Sequence, residues 1–139
     1  MPKYRFKNTA LADHAVFALK NGAFEKHRRY CLRWVRQVVE NLQGKPWTVP
    51  RGDNAWEAAK ALESQGFRVP NERGSKIGDL LFKAPTEKVP EGHVGIRIAG
   101  NRVAENSSAH AATDDQDARG TRTLGEFGHV DMIIRLGSD

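Results

Sequence analysis

The chain has 139 residues, 22 Lys and Arg against 17 Asp and Glu for a formal charge of +5, and a single cysteine. That length suits one domain over residues 1–139 with a core of its own, and the charge favours polyanions such as nucleic acid or an anionic wall polymer. One cysteine excludes an intramolecular disulfide, a CxxC zinc knuckle and an iron–sulfur cluster, and no run approaches the roughly 18 apolar residues of a membrane span.

The opening stretch, "MPKYRFKNTALADHAVFALKNG", alternates polar and apolar residues instead of presenting a signal-peptide core. It is expected to belong to a soluble protein made in the cytoplasm without a classical export signal. Leu11, Ala15, Ala18 and Leu19 predict a helix over 9–21, with Thr9 as N-cap and Gly22 as its stop. Over 29–43 the apolar residues Leu32, Val35, Val38, Val39 and Leu42 recur at helical spacing, Arg33, Arg36, Gln37 and Glu40 fall elsewhere, and Gly44 follows the last turn. Much of the positive charge sits in "KHRRYCLRWVRQ" here, either as a solvated helix face or as a binding patch, with "DDQD" at 114–117 as an acidic counterweight.

A loop containing "GKPWTVPRGD" comes next, and Asn54 with Glu57 makes a capping-box pattern for a helix ending at Gly66. Ala55, Ala58, Ala59 and Leu62 give that helix a small-residue face suited to close packing on the one before it. Trp47 and Trp56 are candidates for lining a substrate groove, although aromatic residues beside alanine-rich helices are more often core.

After Gly66 the period becomes extended, in "FRV", "GDLLF", "HVGIRIA", "RVAEN" and "HVDMIIRL", separated by Gly, Pro and Asn. Asp79 in "GDLLF" reads as a turn-shaping residue at a strand start. The stretch 106–121, "NSSAHAATDDQDARGT", has neither period and predicts a long surface loop. Helices first and strands afterwards, with short connections, argue for an α+β fold in which N-terminal helices pack on a mostly antiparallel sheet.

Within that frame Cys31 stands at the start of the strongest helix, where unpaired backbone N–H groups, the helix dipole and the guanidinium groups of Arg28, Arg29 and Arg33 all favour a negative sulfur. An isolated cysteine on an apolar helix is more often buried filler, so a partner is needed to make it a nucleophile. His93 is the candidate, since a thiolate needs an imidazole in reach to hold the ion pair and to protonate the leaving group. Its neighbours Gly92 and Gly95 keep bulk away and let a backbone or substrate approach.

The ring in turn needs a third group to orient it. A two-residue turn at Gly100-Asn101 would pair Ile98 with Val103 and Gly95 with Asn106, placing Asn106 diagonally beside His93 on one face. A three-residue turn would reverse the parity and bring Glu105 there. The two-residue geometry and Asn106 are favoured, with Glu105 close behind.

These pieces in order, Cys31 in "YCLRWVRQVV", "NAWEAAKALESQGFRV", "GDLLF", "GHVGI" and a polar residue on the following strand, resemble the CHAP and NlpC-type papain-like peptidoglycan hydrolases over residues 30–107. The resemblance implies a papain-like domain and a cysteine amidase or endopeptidase acting on bacterial cell-wall peptides, with Cys31 as nucleophile, His93 as base and Asn106 or Glu105 as orienter. CHAP enzymes carry a glutamate on the strand after the histidine, usually in a Glu-x-Asn order, whereas this chain reads Glu105-Asn106-Ser107. NlpC-type enzymes more often use a histidine or other polar group there, and His110 lies beyond the predicted strand.

Where papain has a glutamine before its cysteine, this chain offers Glu25 and His27, so the oxyanion site is assigned to the Cys31 N–H with its second donor open. No metal or other cofactor is expected, because the histidines at 14, 27, 93, 110 and 129 show no HExxH or comparable spacing. A monomer is the expected state, reaching the wall as a phage lysin, as a secreted effector or through a larger precursor. The competing expectations are a basic nucleic-acid-binding or phage structural module using "KHRRYCLRWVRQ", whose affinity would fall steeply with salt, and an inactive wall-binding domain of the same fold.

Overall fold

The computed structural model describes residues 4–50 and 54–139. Three helices come first: α1 (Asn8–Lys20), α2 (Cys31–Gln43) and α3 (Ala55–Ser64). The strands follow as β1 (Arg68–Val69), β2 (Leu80–Lys83), β3 (His93–Ile98), β4 (Arg102–Asn106), β5 (Arg119–Thr123) and β6 (Met132–Ile134), with a one-turn helix α4 (Leu124–Phe127) between the last two. The sheet runs β1-β6-β2-β3-β4-β5 with every neighbouring pair antiparallel, so the final strand inserts between the first two. This is the α+β arrangement that the order of periodicities predicts.

Alternation along the strands divides the apolar residues between two faces. Leu80, Phe82, Val94, Ile96, Ile98, Ala104, Met132 and Ile134 join the buried side of the three helices in the main core. Leu81, Val103, Ile133, Val69 and Phe127 form a smaller cluster on the other face. Gly95 makes the second cluster possible, because a Cβ there would stand 2.5 Å from Val103 Cγ1 and 3.2 Å from Phe127 Cε1.

The α2 helix buries Leu32, Val35, Val38 and Val39 completely and stops at Gly44, which is left-handed at φ 70° and donates its N–H to the Glu40 carbonyl. Its apolar side is wider than the periodicity shows: Arg36 is also buried and donates to the Pro50 carbonyl at 2.6 Å. The α3 helix begins as expected at Asn54, whose side chain accepts from the Glu57 N–H at 3.0 Å, although Glu57 turns to Lys60 instead of closing the box. Residues 51–53 of the preceding loop lie outside the described residues.

Four expectations are corrected. The α1 helix starts at Asn8, with Lys7 and not Thr9 at the cap position; Asn8 lies against buried Asp79, to which it donates at 2.8 Å. Asp79 does more than shape a turn. It is fully buried, accepts two 2.8 Å bonds from the Arg135 guanidinium and one of 2.7 Å from the Lys76 N–H, and so ties β2 to the end of the chain.

The 106–121 segment is not one loop, since it holds a 3₁₀ turn at Ser108–His110 and leads into β5, which pairs with β4 over its whole length. Its Arg and Thr residues hid an edge strand that has no apolar face to advertise. Finally, Ile98 pairs with Arg102 and Ile96 with Ala104, so the β3–β4 turn has three residues. Gly100 and Asn101 both take positive φ, 78° and 54°, the conformation that Gly and Asn tolerate best.

Candidate active site

The three-residue turn decides which polar side chain meets the imidazole. With that parity Glu105 shares the face of His93, and its Oε1 lies 2.7 Å from His93 Nε2. Asn106 points the other way and does not orient the ring, which corrects the favoured expectation. Its amide nitrogen donates instead to the carbonyls of His27 at 2.8 Å and Tyr30 at 3.3 Å, bracing the segment that leads into Cys31. Two carbonyls as partners fix which end of the amide is nitrogen, leaving Oδ1 buried and without a hydrogen-bond partner.

Cys31 is the first residue of α2, following Tyr30, whose side chain makes no capping bond. The first N–H groups of the helix therefore lack intrahelical partners and face outward beside the sulfur. Cys31 is only 4% exposed and touches the main core, yet it lines a cleft of about 660 Å³ together with His93 and Asn106. The thiol is thus covered on the helix side and open toward the cleft.

His93 lies at the start of β3, 12% exposed at its side chain, with its ring centroid 5.6 Å from that of Phe127. Burial works against its charged form, but the neighbouring Cys31 thiol and the Glu105 carboxylate, which lies 2.7 Å from Nε2, outweigh it and raise its pKa to about 9. Since Nε2 is held by Glu105, Nδ1 is the nitrogen left for the sulfur.

Glu105 is completely buried. Desolvation alone would raise its pKa; hydrogen bonds from His93 and Arg122 reverse this and hold it at about 2. The Arg122 guanidinium donates to both carboxylate oxygens, Nη2 reaching Oε1 at 3.0 Å and Nε reaching Oε2. His110 Nε2 completes the set at 3.0 Å from Oε2. Gly120, the β5 partner of Glu105, leaves room for that ring, since a Cβ there would come within 3.0 Å of His110 Nδ1.

One of these groups, Arg122, has no signal in the apolar periodicity. Arg122 pairs in register with Val103 and so projects on the face of Glu105, but seeing this requires β5. The T-x-x-E pattern at Thr123 and Glu126, which forms a complete capping box for α4, was the available signal that structure resumes there. His110 reaches the carboxylate from the 3₁₀ turn beyond β4.

The tryptophans are corrected as well. Trp47 is 3% exposed in the main core, its indole N–H donating to the Tyr4 hydroxyl at 2.6 Å. Trp56 packs against the core behind Gly92, with its backbone N–H on the Glu91 carbonyl, and neither residue lines the cleft. Gly92 itself, at φ 75°, answers to the Lys83 carbonyl, which a Cβ would approach to 2.6 Å. The glycines around His93 therefore serve packing before access.

Glu25 and His27 bond to each other at 2.7 Å and lie outside the cleft lining, so neither serves as the second oxyanion donor. The basic segment is largely engaged internally: Arg28 with Asp114, Arg33 with Glu25 and the Tyr30 ring, Arg36 with the Pro50 carbonyl. Among the described residues no group of three His, Cys, Asp or Glu side chains is arranged to hold a metal ion, and no helix is long and apolar enough to cross a membrane.

A buried carboxylate, an imidazole and a thiol in series beside a helix N-terminus form an array able to attack a carbonyl carbon. No protein-family model matches the chain, and no curated protein sequence matches it. Solved structures do. The NlpC/p60 domain of the peptidoglycan hydrolase SagA superposes with a TM-score of 0.53 at 19% identity, covering 92% of this chain and 97% of that one. The p60 domain of antigen MAP1204 from M. avium subspecies paratuberculosis gives 0.61 at 11% identity, covering 95% and 98%.

The chain has the NlpC/p60 fold. A crystal structure of Ly7917 with the hydrolyzing product of MDP gives 0.56 at 16% identity, covering 93% of this chain and 63% of that one. The papain-like NlpC-type architecture implied by the resemblance is therefore the architecture present, and the NlpC/p60 domains match this chain over nearly their whole length.

Proposed function

We propose that the protein is a cysteine-dependent hydrolase that cuts an amide bond in bacterial cell-wall peptides, as an amidase or endopeptidase. The observation that carries this reading is the Glu105–His93–Cys31 series at the floor of an open cleft. The NlpC/p60 fold supports the choice of substrate, since neighbours of that fold are peptidoglycan hydrolases by name.

In this reading the Cys31 sulfur, its proton taken by His93, attacks the amide carbonyl, and the oxyanion is met by the free N–H groups at the start of α2. His93 then passes its proton to the departing amine as the C–N bond breaks, leaving a thioester on Cys31. Water, deprotonated by His93, attacks that thioester; the C–S bond breaks, the acid is released and the thiol is restored. Glu105 keeps the ring aligned and favours its charged form, and Arg122 and His110 keep Glu105 in place. The engaged arginines of the basic segment give no support to a nucleic-acid module.

Incubating the purified protein with peptidoglycan and identifying the released fragments by mass spectrometry tests the reading. New free amines without new reducing sugars are expected, and Cys31→Ala should abolish them while preserving the fold by circular dichroism. Amine release that survives Cys31→Ala, or fragments with new reducing ends only, would overturn it. Wall binding with no fragments released from the unaltered protein would mark an inactive binding domain.

A further inference from the structure

We propose that Lys83 is a positioning residue for His93: it holds Phe127 against the imidazole and so keeps the ring aimed at Cys31; this rests on reading His93 as the base of a Cys31 hydrolase. His93 Nε2 lies 2.7 Å from Glu105 Oε1, and Nδ1 is the nitrogen left for the sulfur. Both nitrogens lie in the ring plane, so partners at these atoms fix the ring's reach but leave it free to rock about the line between them. Packing against a face of the ring stops that motion. Phe127 supplies the packing: it is buried, with its ring centroid 5.6 Å from that of His93 and the two planes 35° apart.

Phe127 does not hold itself there. It is the last residue of α4, a single turn of four residues, too short to persist without outside support. The capping box of Thr123 and Glu126 secures the first end. At the other end the Lys83 ammonium donates to the Phe127 carbonyl, one of the acceptors a helix end leaves open, and lies 4.3 Å from the centroid of the Phe127 ring. Lys83 is also the cross-strand partner of His93 in the β2–β3 ladder, and directly opposed residues project from one face with Cβ atoms about 5 Å apart. The strand that carries the latch is thus paired with the strand that carries the ring. Burial, and then the nearby Arg122, push the Lys83 ammonium below its ordinary pKa, so a cation is kept here where a neutral side chain would be easier to bury. What the cation adds is a joint grip on the carbonyl and the aromatic face.

The test is a double-mutant cycle of Lys83→Met, Phe127→Leu and the two together, with the fold checked by circular dichroism. On a stem peptide each single variant should lose kcat by roughly tenfold, less than the roughly 100-fold that a misplacement of about 1 Å can cost, while KM stays within about twofold. The double variant should lose little more than either single one, because both act through one ring, and Lys83→Arg should recover most of the loss. The rate of Cys31 alkylation by iodoacetamide should follow the same pattern, since the imidazolium holds the thiolate. An unchanged kcat, or losses that add, would overturn the proposal; a rise in KM with kcat unchanged would overturn it in favour of a substrate-binding role. Should Lys83→Met not fold, Lys83→Gln takes its place in the cycle. If the unaltered protein cleaves no peptide, the hydrolase reading fails, and the alkylation cycle alone decides whether Lys83 and Phe127 hold the ring.

Discussion

Replacing Glu105 with glutamine isolates the charge of the third group, because the amide oxygen can still accept from His93 Nε2 while the negative charge is gone. The displacement of His93 from 6.5 to about 9 corresponds to roughly 3 kcal/mol of preference for the charged ring. The thiol and the carboxylate both favour the charged ring against desolvation, so removing the Glu105 charge lowers the His93 value. In the proposed mechanism the imidazolium protonates the leaving amine, so activity should fall as pH rises through the folded-state value near 9. In Glu105→Gln the alkaline limb of kcat/KM should move to lower pH, with the plateau also lowered.

The assay is amine release from a stem peptide between about pH 6 and 10, with substrate well below KM so that the free enzyme's groups are read. The substitution also leaves Arg122 facing a neutral group at a buried site, costing about 1–3 kcal/mol of stability. The double variant with Arg122→Gln removes that unpaired cation and keeps the experiment readable. An alkaline limb that stays at its wild-type pH in a folded Glu105→Gln protein would refute the assignment of Glu105 as the group that sets the charge of His93.

Asn106→Ala should lower activity without moving the alkaline limb, since it loosens the His27–Tyr30 segment and does not touch the ring's charge; comparing its pH profile with that of Glu105→Gln separates the two roles. The pH dependence of stability follows from the same pair. Glu105, held at about 2 against 4.5, contributes fully above pH 4.5 and loses its contribution as pH falls through 2; His93, held at about 9 against 6.5, contributes fully below 6.5 and loses it as pH rises through 9. Urea unfolding should therefore give a plateau between about pH 4.5 and 6.5 with decline on either side, and the alkaline decline should be weaker in Cys31→Ala. Asp79→Asn should cost about 3 kcal/mol by leaving Arg135 without its carboxylate, read as a lower urea midpoint, while kcat/KM at a permissive temperature stays within about twofold because Asp79 lies outside the cleft lining.

The legible parts of this molecule were those with a period. The apolar positions of α2 and the alternation in "HVGIRIA" fix the helices, the sheet and the two ends of the site, because burial of one face imposes a repeat on the sequence. A hydrogen-bonded carboxylate imposes none. Choosing between Glu105 and Asn106 required knowing that the β3–β4 turn holds three residues, a one-residue difference that no pattern of apolar side chains near Gly100 records. Arg122 leaves no such trace for a related reason: β5 is an edge strand reading "RGTRT", whose ladder to β4 is made by backbone groups, while His110, beyond the predicted strand, is carried to the site by a 3₁₀ turn held by local bonds at Ser107 and Ser108.

The opposite facing of Glu105 and Asn106 gives the site its economy. Consecutive residues on β4, they serve the two halves of the proposed site: one holds the imidazole on the Phe127 side of the sheet, the other holds the turn before Cys31 on the helix side. The loop that follows extends the second function, with the Ala118 N–H on the Lys26 carbonyl and Asp114 on Arg28. The segment ahead of Cys31 is thereby clamped by β4 and its continuation, and the ring of His93 is clamped by β4 and β5. A slip of β4 by one residue would exchange these faces, presenting an amide to the imidazole and a carboxylate to two backbone carbonyls that can only repel it. The register of a single strand therefore governs whether sulfur and ring meet, and that register is in turn locked by Val103 in the smaller cluster and Ala104 in the main core.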